Sequence, residues 1–167
     1  MTLTSSVKLQ VDATQDSAID LGPRQARPSL SSVLAFANGT GAASADLIFT
    51  DNRTLTASAT ENLDVAGSLT DAFGATITMA RVKAIIVRAT ATNTNDVQLT
   101  RPATNGVPFL MAAGDGIALK PGAIFVWADP GATGVAVTAA TADLITVTNS
   151  AAGTSVSYDV IIIGASA

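Results

Sequence analysis

In the stretch SVSYDVIIIG, residues 155–164, Val156, Tyr158, Val160 and Ile162 share one parity while Ser155, Ser157 and Asp159 share the other. Side chains of an extended chain alternate between two faces, so this period of two marks a half-buried β-strand. Ile161 and Ile163 end the polar parity, and there both faces are expected to be covered. Upstream, Ile145 and Val147 alternate with Leu144, Thr146 and Thr148, and Val135 and Val137 alternate with Ala136 and Thr138. The loop NSAAGT between the last two strands predicts a hairpin.

The segment KPGAIFVWADPGA, residues 120–132, adds a strand of defined length. Pro121-Gly122 and Pro130-Gly131 each have the form of a type II turn, in which Pro presets φ and Gly takes a positive one. Between them Ile124 and Val126 face one way and Phe125 and Trp127 the other, so the strand is expected inside a sandwich or beneath a subunit contact. Four sequential strands joined by short turns predict an antiparallel meander.

The middle of the chain is less regular. Ile77 and Met79 are odd and Val82, Ala84 and Ile86 even, which predicts a bend or bulge near Ala80–Arg81; a short helix is the alternative, disfavoured by the β-branched residues. TNTND at 92–96 reads as a turn before a strand through Val97 and Leu99, with further short strands at 107–111 and 116–119. Val7, Leu9 and Val11 could form one strand, but GPRQARPS and ANGTGAASA favour an irregular, extended segment. The expected organisation is an N-terminal arm, residues 1–45, followed by an all-β domain, residues 46–167. The expected fold is an antiparallel β-sandwich, with a jelly roll as one form of it.

Composition narrows the chemistry. The chain has neither cysteine nor histidine, which removes thiol and Ser-His-Asp nucleophiles, zinc-thiolate sites and the side chain best suited to proton transfer near neutral pH. The glycine pairs at 39–41 and 114–116 lack the spacing of a phosphate loop, and Asn93, Asn95 and Asp96 lack the carboxylate ladder of a calcium site. No two aspartates are paired by spacing as glycosidase carboxylates would be, so no enzyme, cofactor or metal is expected. A net charge of −4 argues against nucleic acid, and no apolar run approaches the roughly 20 residues of a membrane helix. The N-terminus does not have the form of a signal peptide.

Only 13% of residues are charged, against roughly 25% in ordinary soluble domains. So weakly polar a surface predicts cover by other subunits. The candidate partner-binding residues are Arg24 and Arg27, held between Pro23 and Pro28 where they could clamp an acidic patch, and Trp127 as a core or contact anchor.

Over residues 45–167 the phrasing ADLIFTDNRTLTASATENLDVAGSLTDAFGATITMARVKAIIV, LKPGAIFVWADPGATGVAVTAATADLITVTNS and SYDVIIIGASA resembles a group of small tailed-phage virion proteins rich in Ala and Thr. The resemblance implies a β-sandwich that assembles on the particle with the major capsid protein as partner, made in the host cytoplasm and placed on the capsid exterior as a decoration or cement protein; clustering around symmetry axes, usual for such proteins, implies a homo-oligomer, with a trimer favoured and a dimer compatible. A tail or neck component, or a receptor-binding module, is the alternative.

Overall fold

A computed structural model describes residues 2–167, and among them there is no helix. The compact part is an antiparallel β-sandwich. Its strands are β6 (Leu47–Leu55), β7 (Thr60–Asp64), β8 (Arg81–Ala89), β9 (Val97–Thr100), β10 (Gly116–Leu119), β11 (Ile124–Ala128), β12 (Val135–Ala136), β13 (Leu144–Asn149) and β14 (Val156–Ala165). One sheet has the order β10-β9-β13-β7; the other has the order β11-β8-β14-β6, with β12 added to β8. Leaving aside the two-residue β12, the first, eighth, third and sixth strands of the sandwich make one sheet, and the second, seventh, fourth and fifth the other.

Alternation explains the core. Val156, Tyr158, Val160 and Ile162 all point inward from β14, as their common parity predicts, against Leu63 on β7, Val97 and Leu99 on β9, and Ile145 and Val147 on β13. Ile85 and Val87 of β8 complete the opposing wall, and Phe125 and Phe109 meet edge to face.

Three expectations are corrected here. β13 and β14 do not form a hairpin: β13 pairs with β7 and β9, whereas β14 pairs with β6 and β8, so NSAAGT crosses from one sheet to the other and the four strands are not a meander. Residues 107–111 are not a strand; Phe109 N–H bonds back to Val107 O in a tight turn. Of the two Pro-Gly turns, only the first takes the expected form, with Gly122 at φ 81° and Ala123 N–H on Lys120 O. Gly131 has no positive φ; Asp129 Oδ1 accepts its N–H at 2.7 Å and sets the turn instead.

The parity slip is real. The chain bends at Ala80, and a β-bulge follows where Ile163 pairs with Ala84 but Gly164 pairs with Val82, leaving Lys83 as the extra residue. Gly164 is required there, since a Cβ would stand 2.5 Å from both Arg81 O and Met79 Sδ.

Residues before the sandwich are regular, not irregular as their Pro and Gly content predicts. β1 (Ser5–Asp12) pairs with β4 (Ser29–Asn38), and β2 (Gln15–Ile19) pairs with β3 (Gly22–Ala26), giving one long two-stranded ribbon with Asp20-Leu21 at its tip. Pro23 lies in β3 without cost because a two-stranded ribbon consists only of edges. The short β5 (Ser44–Ala45) pairs in parallel with the end of β4.

Candidate assembly surface

The outer face of the β11-β8-β14-β6 sheet is a grid of rows read directly from the register. Ala128, Ala84, Ile163 and Ile48 form one row, Val126, Ile86, Ile161 and Thr50 the next, and Ile124, Arg88, Asp159 and Asn52 a third. The first row is covered. Phe36 of β4, 1% exposed, packs with Ala84 and Ile163, and Leu3, Val7 and Leu34 close around them.

The second and third rows are open. Ile124 is 59% exposed, Val126 49% and Ile161 37%, and with Ile86 and Arg88 they line a shallow depression. Its polar margin is organised: Asn52 Nδ2 donates to Asp159 Oδ1 at 2.7 Å and Arg88 Nε to Asp159 Oδ2 at 2.7 Å. These two donors hold the Asp159 carboxyl below the usual carboxylate range. Of the two places expected for β11, inside the sandwich or beneath a subunit contact, the first holds for one face only: Phe125 and Trp127 face the core, while Ile124 and Val126 face outward.

The ribbon continues from the covered row. On one of its faces Val7, Leu9 and Val11 lie opposite Leu34, Ser32 and Leu30, and on the other Lys8, Gln10 and Asp12 lie opposite Val33, Ser31 and Ser29. Only the root of the apolar face is buried. Every residue of β2 is exposed, as are Leu9, Val11 and Leu30 at about half of their surface.

Lys83 fixes the root of the ribbon to the sandwich. It is wholly buried, and its ammonium donates to the carbonyls of Gly131, Ala132 and Gly41, the last two at 2.8 and 3.4 Å. Ala43 N–H donates to Pro130 O at 2.7 Å, so the turn after β4 and the turn after β11 are joined directly and through Lys83. Burial pulls the Lys83 ammonium below its ordinary pKa, the nearby Arg81 charge adding to that and Asp129 opposing it.

The candidate residues are not brought together. Arg24 is exposed on β3 opposite Ser17, and Arg27 is exposed in the break between the two halves of the ribbon. Trp127 lies half-buried on β11 against the main core. Asn93 and Asn95 are taken up in fastening loops: Asn93 exchanges two hydrogen bonds with the Ser157 backbone, and Asn95 donates to Asn149 Oδ1 and Ala151 O. Asp96 accepts from Lys120 Nζ at 2.8 Å.

One polar cluster enters the core. Tyr158, fully buried, donates its hydroxyl to Glu61 Oε1 at 2.6 Å, and Arg53 pairs with the other oxygen of Glu61 while its guanidinium lies over the Phe49 ring. Burial first, then the hydrogen bond to Glu61 and its charge, push the Tyr158 pKa far above its ordinary 10. The unfolded chain thus releases this proton at lower pH than the folded one, so stability should fall as pH rises above about 10. Tyr158→Phe is expected to cost about 1–2 kcal/mol at pH 7 and to flatten that alkaline decline, as urea unfolding at pH 7 and pH 10.5 would show.

The open isoleucine rows and the exposed ribbon were missed in the sequence, although Ile161 within VIIIG and the Val7-Leu9-Val11 alternation carried a signal for each. Searches of family models, curated proteins and solved structures return no match to this chain.

Proposed function

We propose that this chain is a structural virion protein of a tailed phage, binding the assembled capsid from outside and stabilising it as a decoration or cement protein. The observation that carries the reading is an exposed ribbon, with Leu9, Val11 and Leu30 on one face, beside an open sheet face that presents Ile124, Val126 and Ile161, in a chain of which 13% of residues are charged. Surfaces of that kind serve contact between subunits. The strand order supports the reading, because it follows the scheme of a double-sheet jelly roll, an architecture found in viral capsid and lectin domains. That support is analogy of fold, and the surfaces carry the greater weight. A protein that binds the assembled shell and not its separate subunits stabilises the shell by mass action, multiplied over many copies.

A tail, neck or receptor-binding role is the second reading, favoured by Phe73, 79% exposed on a loop next to the cleft lined by Asp51, Arg53 and Asp71. An exposed ring beside polar groups suits a sugar face. Quantitative mass spectrometry of purified particles separates the two. A ratio to the major capsid protein of one to one, or one to a few, is expected for the cement role; a dozen or so copies per particle would move the protein to the neck or tail, and its absence would overturn both.

A further inference from the structure

We infer that the ribbon of one copy lies, apolar face down, on the open isoleucine rows of a second copy of this chain. The inference rests on the chain's own two surfaces and does not depend on the virion reading.

Both surfaces are left open by the fold that creates them. Leu9, Val11 and Leu30 share the ribbon face whose root, through Phe36, Leu34 and Val7, already packs on the first row of this sheet. Val126, Ile161 and Ile124 continue the same sheet face beyond the point where the chain's own ribbon leaves it, with half-buried Ile86 at the border. The covered row thus shows, within one molecule, that this ribbon face and this sheet face are complementary. Side chains two apart along a strand repeat at about 7 Å on both surfaces, so rows of one can settle between rows of the other.

A free ribbon is also a poor structure by itself. Two strands without a third, exposed on both faces, are marginally stable in water, and Leu9, Val11 and Leu30 gain cover only from another molecule. Charge does not oppose the ribbon as the occupant. Residues 1–45 carry Lys8, Arg24 and Arg27 against Asp12, Asp16 and Asp20 and are neutral, whereas the whole net charge of −4 lies in the sandwich. A neutral ribbon on the sandwich therefore brings no like-charge penalty, and on the open face itself Arg88 and Asp159 offset each other. Exchange of ribbons between copies closes as a two-fold pair or as a ring.

The cysteine-free sequence makes the test direct. Wild-type protein should sediment at a multiple of its 16.7 kDa chain mass, and Leu30→Asp and Val126→Asp, both at exposed positions, should each sediment at the single-chain mass with an unchanged circular dichroism spectrum. Mixing Leu30→Cys with Val126→Cys chains under mild oxidation should give a disulfide-linked mixed dimer. Neither variant should form one alone, and Ser31→Cys, on the opposite ribbon face, should not substitute for Leu30→Cys. A wild type that is monomeric at every concentration, an oligomer that survives both aspartate variants, or Leu30→Cys chains that link only to one another would each overturn the inference.

Discussion

Phe36→Ala should release the root of the ribbon, at a cost of about 3–5 kcal/mol for the loss of a fully buried aromatic ring. Phe36 sits over Ala84 and Ile163, and the other apolar residues around it, Leu3, Val7 and Leu34, are only partly buried. With the ring gone, the small cluster under the ribbon loses its centre, while the main core between the two sheets keeps all of its members. The effect should therefore be local. Hydrogen exchange should show lost protection in the paired residues Ser5–Lys8 and Val33–Phe36, with the β13 amides between β7 and β9 unchanged. The same variant should weaken self-association, because a ribbon without a fixed root presents Leu9 and Leu30 in no fixed direction. Unchanged protection in β1 and β4 would mean that the bonds around Lys83 hold the ribbon without Phe36.

How much of this was legible depends on what a local pattern can encode. Period-two alternation states which face of a strand is covered, and for β13 and the inward parity of β14 it named the buried residues correctly; Ile163 is covered as expected, but Ile161, expected to be covered with it, is exposed on the outer face. It does not state which neighbour a strand takes. The six-residue NSAAGT loop is as able to cross the roughly 10 Å between two sheets as to turn a hairpin, so the meander was the wrong extension of correctly read strands. At the ribbon the failure was of another kind. Pro and Gly punctuate a segment only where burial or a central ladder demands otherwise, and an exposed two-stranded ribbon makes neither demand, so GPRQARPS pairs in spite of its composition. Ile124 and Val126 were read as lying inside the sandwich or beneath a subunit contact, because apolar residues on both sides of a strand are ordinarily covered. Their exposure is visible only once the outer face of the sheet is drawn and the reach of Phe36 across it is known. Arg24, Arg27 and Trp127 were chosen by residue type, which carries no information on position; the fold sets the two arginines on the ribbon and Trp127 on the sandwich.

Lys83 had the least legible role, since in ARVKAIIV it shares the parity of Ile85 and Val87 and nothing local distinguishes a buried cation from a solvated one. The bulge turns it away from the core, into a cage of three carbonyls drawn from the turns after β4 and after β11. Lys83→Met fills much of the same space but leaves those carbonyls without donors, and the expected loss is about 3 kcal/mol in urea unfolding. The pH dependence gives a second reading of the same residue. Burial lowers the Lys83 pKa in the folded state below its ordinary 10.5, so as pH climbs towards 10.5 the folded protein gives up this proton before the unfolded chain does. The unfolded state then binds more protons, and the contribution of Lys83 to stability rises with pH. The gap between wild type and Lys83→Met should accordingly widen from pH 8 to pH 10. A gap that stays constant would mean that the three carbonyls offset the cost of burial in full, and a gap that narrows would mean that they hold the ammonium more tightly than water does.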